Sequence, residues 1–102
     1  MSCEGLHSPP VIASFRNKGL QELFDTGRSA RVPADMRKRI IVRLDALDAA
    51  KTLADLDRPG FRLHPLKGTA AGRYAIDVNG PWRLTFAWKD GTVSALDLEQ
   101  YH

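Results

Sequence analysis

The groups in this chain able to move protons or hold charge are three histidines (His7, His64 and His102), a phenol at Tyr101, and cations that include Lys67, Arg73 and Arg83. The histidines are scattered, with no His-x3-His or Cys-x2-Cys spacing that would ligate a metal, and Cys3 is the single cysteine. The sequence holds neither a phosphate-binding glycine loop nor a Gly-x-Ser-x-Gly elbow. What remains is imidazole, phenol, ammonium and guanidinium, a set that needs no metal and no cofactor. It suits the attack of an RNA 2′-hydroxyl on its neighbouring phosphate. That reaction requires a base for the hydroxyl, cations for the charge gathering on phosphorus, and an acid for the departing 5′-oxygen. Histidine titrates near neutrality and serves either proton-transfer role.

These groups need a scaffold, and 102 residues make one domain. With 43% hydrophobic and 26% charged residues the chain has enough apolar mass for a core. No apolar run approaches the roughly 18 residues of a membrane span, and residues 1–10 lack the pattern of a signal peptide. Those ten read as a leader, followed by a domain over 11–102. A cytoplasmic protein without a membrane partner is expected.

Residues 11–15 suit a short strand. Leu20, Leu23 and Phe24 predict a helix over 16–25 that stops at Gly27. Pro33 and Asp35 open a second helix over 33–50, with Met36, Ile40, Leu44 and Leu47 as its apolar stripe. Arg37, Lys38, Arg39 and Arg43 lie mostly off that stripe, which predicts a basic outer face. A helical turn is expected over 52–56. Thereafter the period becomes two: Tyr74, Ile76 and Val78, then Trp82, Leu84, Phe86 and Trp88, then Leu96 and Leu98 mark three strands with one apolar face.

A three-residue loop Asn79-Gly80-Pro81 keeps the large apolar residues together, pairing Val78 with Trp82, Ile76 with Leu84 and Asp77 with Arg83. The fold class is therefore α+β: a short N-terminal strand and two helices on one face of an antiparallel sheet. The other face is left open and carries Arg73, Asp77, Arg83, Asp97, Glu99 and Tyr101.

The net charge of +3 conceals two blocks. Residues 28–43 hold six basic side chains and one acid, residues 58–89 hold six and one, and residues 90–102 hold three acids and no Lys or Arg. Blocks of this kind make a positive surface suited to phosphate or an acidic partner.

Five blocks in order, residues 11–28, 44–50, Arg62-Leu-His-Pro-Leu-Lys-Gly68, Val78-Asn-Gly-Pro-Trp-Arg-Leu84 and Tyr101-His102, resemble the HigB branch of the RelE/ParE toxin superfamily of type II toxin–antitoxin modules. The resemblance covers 11–102. It implies a RelE-like fold and a ribosome-dependent endoribonuclease that inhibits translation by cutting mRNA without metal. It further implies restraint by a helix-turn-helix antitoxin of the HigA kind, through which alone operator DNA is reached. Carried over by position, the family's site falls on His64, Lys67, Arg83, Tyr101 and His102. His64 or His102 would transfer protons, Tyr101 would stack on a base or orient the phosphate, and Lys67 and Arg83 would meet the charge on phosphorus. Arg73 and the second helix's Arg37, Lys38, Arg39 and Arg43 would contact RNA.

Two positions depart from the family pattern: Gln100 stands where an aspartate is usual, and Asp77 where an arginine is frequent. Asp77 paired with Arg83 would occupy a cation the chemistry needs, with Arg73 compensating on the same face. Two other readings share this fold, a ParE-like binder of gyrase and an attenuated toxin that serves mainly as its antitoxin's co-repressor.

Overall fold

The computed structural model describes residues 12–67 and 72–100; the expected leader, Gly68, Tyr101 and His102 lie outside the described residues. Helix α1 spans Lys18–Thr26. Asn17 caps it by accepting the Leu20 N–H at 3.1 Å, and Gly27, at φ 78°, donates its N–H to the Leu23 carbonyl. A 3₁₀ turn over Ala34–Met36 follows Pro33 and leads into helix α2, Arg37–Ala49. A second 3₁₀ turn occupies Leu53–Leu56, where the Asp55 carboxylate accepts the backbone N–H groups of Lys51 and Thr52. Those bonds hold the Asp55 carboxyl below its ordinary pKa.

The sheet runs in sequence order, entirely antiparallel: β1 His64–Pro65, β2 Arg73–Asn79, β3 Trp82–Lys89 and β4 Thr92–Gln100. The last three match the period-two segments. β1 has only two residues, too few for any periodicity, and it adds an edge that the sequence pattern did not show. The N-terminal run meets the opposite edge through two isolated parallel bridges, Ile12 with Val93 and Phe15 with Leu96, in place of a continuous strand.

The core lies between the helices and the apolar face of the sheet. Leu20 and Leu23 from α1, Ile40, Leu44 and Leu47 from α2, and Ile76, Leu84, Phe86 and Leu96 from the strands are all essentially sealed from solvent. Each such side chain contributes roughly 1.5–3 kcal/mol by leaving water.

Three sequence expectations need correction. In the β2–β3 hairpin, Ile76 pairs with Leu84 and Asp77 with Arg83 as expected, but Asn79 and not Val78 stands opposite Trp82. Val78 is taken up in a bulge and stays buried, leaving a two-residue Gly80-Pro81 turn with positive φ at Gly80. A two-residue turn of that hand matches the strand twist, and Pro81, lacking an N–H, sits outside the ladder.

The second correction concerns Arg43, which is not on the outer face of α2. Only 9% of it is exposed. Its guanidinium donates to the carbonyls of Arg39, Gly60 and Asp77 and lies 4.7 Å from the centre of the Phe61 ring. Position 43 is seven residues beyond Met36 and so falls on the inward stripe. The third concerns Arg37, which is half-buried and spends its Nε on the Val32 carbonyl at 3.0 Å. Lys38 and Arg39 do face solvent, although Arg39 also donates to the Asn79 side chain.

Arg43→Ala is expected to lower unfolding free energy by about 2–4 kcal/mol, because buried carbonyls lose their donor, whereas Lys38→Ala stays within about 0.5 kcal/mol; urea titration of both checks this. The Asp55 contribution to stability is present above the ordinary carboxylate pKa and lost as pH falls through the lowered one. Thermal unfolding of Asp55→Asn should therefore differ from the wild type at neutral pH and converge on it in acid.

Candidate active site

Residues directly opposite one another on adjacent strands share a face. That rule turns the register into rows across the polar side of the sheet. His64 on β1 stands opposite Ala75 on β2, Ala75 opposite Thr85 on β3, and Thr85 opposite Asp97 on β4. The neighbouring row is Asp77, Arg83 and Glu99. The row on the other side is Arg73, Ala87 and Ser94. His64, Arg73, Arg83, Asp97 and Glu99, spread over 36 positions of sequence, are thus gathered on one surface. Lys67 follows β1 on an exposed segment whose Leu66 N–H donates to the Arg73 carbonyl.

The middle of this face is roofed by its own side chains. Arg73 donates from Nη2 to Thr85 Oγ1 at 3.1 Å and to the Ala95 carbonyl at 2.9 Å. The Thr85 hydroxyl donates a hydrogen bond to the Glu99 carboxylate, and the threonine is completely buried beneath the pair. The Ala95 carbonyl is available because β4 bulges there: Thr85 pairs with Asp97 but Ala87 with Ser94, and Ala95 takes φ 49°. Ser14 holds the bulge from outside by accepting the Ala95 N–H at 2.9 Å.

Burial pulls the Arg73 pKa down and nearby Arg16 adds to that, while Glu99 and Asp97 oppose it. An arginine keeps its proton under such a shift, so Arg73 is a fixed positive charge at the centre of the face.

His64 is half-exposed at the edge. Its Nδ1 lies 2.7 Å from the Arg62 carbonyl. Arg62 itself is mostly exposed and meets the Asp77 carboxylate at 3.5 Å. Asp77 therefore has Arg83 as its cross-strand neighbour, as the sequence register requires, and Arg62 as an ion-pair partner that the register could not show. Arg83 is half-buried, with its Nε shielded from solvent.

Sequence reasoning placed Asp97 and Glu99 on this face without a role and passed over Thr85 and Arg62. Alternation alone puts Thr85 on the polar side, between Leu84 and Phe86. Arg62 gave no signal, since its part depends on a contact with β2.

Chemically, the surface offers one imidazole at a rim, an exposed lysine close by in sequence, and two half-buried guanidinium groups, Arg73 held by a hydroxyl and a carbonyl and Arg83 set between Asp77 and Glu99 in the strand register. This arrangement can hold an anionic phosphodiester by its non-bridging oxygens and exchange a proton with it. Arg43, bonded inward, takes no part in such a surface, and among the α2 cations Lys38 and Arg39 are the ones turned outward.

A family model described as the RelE-like toxin HigB of type II toxin–antitoxin systems matches residues 13–102. The chain is 42% identical over 92 residues to a protein named Endoribonuclease HigB from Proteus vulgaris, covering 90% of this chain and all of that one. It is 33% identical over 95 residues to Toxin HigB-1 from Vibrio cholerae serotype O1, covering 89% of this chain and all of that one. A solution structure of a conserved hypothetical protein from Helicobacter pylori overlaps 89% of this chain and 96% of its own, at 17% identity and TM-score 0.49.

The Thr85 bridge can be tested without any activity. Thr85→Val keeps the shape and removes the hydroxyl, so stability should fall by about 1–2 kcal/mol as Glu99 and Arg73 lose a buried partner. Thr85→Ser should recover at least half of that loss in the same denaturant titration.

Proposed function

The chain belongs to the HigB family of RelE-like toxins of type II toxin–antitoxin systems, and from that premise we propose that it is an endoribonuclease that cuts mRNA on the ribosome through attack of the 2′-hydroxyl. The observation that carries the reading is the convergence of His64, Arg73 and Arg83 on one face of the sheet, with Lys67 beside it. This set supplies a proton-transfer group and the cations that metal-free phosphodiester transfer uses.

In the reaction a base removes the proton of the 2′-hydroxyl, whose oxygen forms a bond to phosphorus. The bond from phosphorus to the 5′-oxygen breaks, and an acid supplies that oxygen's proton. One fragment ends in a 2′,3′-cyclic phosphate and the other begins with a 5′-hydroxyl. His64 takes one of the proton-transfer roles and His102 the other, while Tyr101 stacks on a base or orients the phosphate. Lys67 and Arg83 carry the charge that builds on phosphorus, where a fixed cation acts without reorganisation. Arg73 adds positive potential from the centre of the face, and its remaining N–H groups can meet RNA.

The outward cations Lys38 and Arg39 supply phosphate contacts to ribosomal RNA, which contribute affinity and carry no sequence information. As a member of a type II toxin family the chain has an antitoxin partner. A helix-turn-helix protein of the HigA kind fits that role, with operator DNA reached only through it. No described helix is long and apolar enough to cross a membrane, and a substrate on ribosomes fits a cytoplasmic protein.

Induced without antitoxin, the protein should arrest translation and leave messages cut within reading frames, read by mapping mRNA 5′ ends. Cleavage by purified protein on programmed ribosomes should survive EDTA and fail on a message with a 2′-deoxy nucleotide at the cut position. His64→Ala, Arg83→Ala and His102→Gln should each lower the rate by roughly 100-fold or more. Full toxicity in Arg83→Ala and His102→Gln would show the site to be elsewhere.

A further inference from the structure

We propose that Arg62 is a positioning residue: its left-handed backbone presents the carbonyl that keeps a proton on His64 Nδ1, which makes Nε2 the nitrogen that exchanges a proton with RNA. The proposal rests on the RNA-cleaving reading above and adds the atom at which His64 works and the element that selects it.

A carbonyl oxygen only accepts. With Nδ1 at 2.7 Å from the Arg62 oxygen, the hydrogen between them belongs to the ring, in the neutral and in the cationic imidazole alike. Nε2 is then the acceptor of the neutral ring and the nitrogen left to exchange a proton with RNA. The contact spans two residues, so its geometry is set by the backbone at Arg62. That residue sits at φ 52°, a region that residues other than glycine seldom occupy unless their surroundings impose it.

Here the surroundings do impose it, from both sides of the contact. Upstream, the Asp77 N–H donates to the Phe61 carbonyl at 2.6 Å, and Arg43 donates to the carbonyls of Gly60 and Asp77, so the 60–62 turn is fastened to β2 and to α2. Downstream, His64 is locked opposite Ala75 in the β1–β2 ladder. The Arg62–Asp77 ion pair at 3.5 Å is exposed on the arginine side and adds little to this, so the backbone and not the guanidinium does the positioning.

Long-range ¹H–¹⁵N correlation spectra of the full chain, free of RNA and at a pH where imidazole is neutral, read the tautomer of His64 directly. Wild type and Arg62→Gly, which tolerates the left-handed backbone, should both show a protonated Nδ1 and an unprotonated Nε2. Arg62→Val, whose branched side chain resists that backbone, should show a mixture of tautomers. On ribosomes Arg62→Gly should cut within about threefold of wild type and Arg62→Val should lose roughly 10- to 100-fold. A proton on Nε2 in wild type or Arg62→Gly overturns the proposal, as does a wild-type spectrum in Arg62→Val. If the valine variant does not fold, the other two spectra still decide. The failures separate: wild type with the Nδ1–H tautomer in place that leaves ribosome-bound mRNA intact removes the functional reading, full cleavage by His64→Ala removes the proton-transfer role of His64 and with it the proposal, and a His64-dependent cleavage with the opposite tautomer removes the positioning role alone.

Discussion

The rest of the structure depends on one buried cation. Arg43 reaches from the inward side of α2 and donates to backbone carbonyls on its own helix, on the 60–62 turn and on β2, while its guanidinium covers the Phe61 ring. Burial makes the charge costly and drags the arginine's pKa down, with Arg39 adding to the shift and Asp77 opposing it. That cost is offset because the planar fork satisfies carbonyls on separate elements at once. Helix, turn and strand are thereby fastened to one another, and the turn that carries Arg62 toward His64 inherits its position from that joint.

The two bulges put the polar face to use. The bulge at Val78 absorbs the residue that would otherwise throw the hairpin out of register, so Asp77 remains opposite Arg83. The bulge at Ala95 turns a main-chain carbonyl toward Arg73 and locks that guanidinium above Thr85. A regular ladder would have kept that carbonyl in the plane of the sheet, out of reach of a side chain on its face. The face is therefore a preorganised polar surface: its central threonine is sealed, Arg73 is tied to a hydroxyl and a carbonyl, and its imidazole is held at the rim. In a site that stabilises charge on a phosphodiester, such fixed dipoles and cations act without rearranging.

Asp77 illustrates how a single substitution acquires meaning from its neighbours. Read along the chain, it is the one acid in a basic stretch and a threat to Arg83. In the fold its N–H, its carbonyl and its carboxylate are each engaged, with Phe61, Arg43 and Arg62 respectively. Its position is as much a fastening for the turn before β1 as a counter-charge on the face.

Much of this was legible in residue order. Period-two alternation located β2, β3 and β4 and set Ile76 against Leu84. Gly27 and Pro33 marked helix boundaries because capping and proline geometry are local, and the blocks at 62–68 and 78–84 resembled the family to which the chain belongs. Local propensity and hydrophobic period determine which face of an element is apolar, and that much needs no partner. The inward course of Arg43, the short strand at His64, the bulges at Val78 and Ala95 and the left-handed turn at Arg62 were decided only in three dimensions. Each is stabilised by a hydrogen bond or packing contact to a distant segment, or exists to accommodate one, and no pattern within its own few residues can announce it.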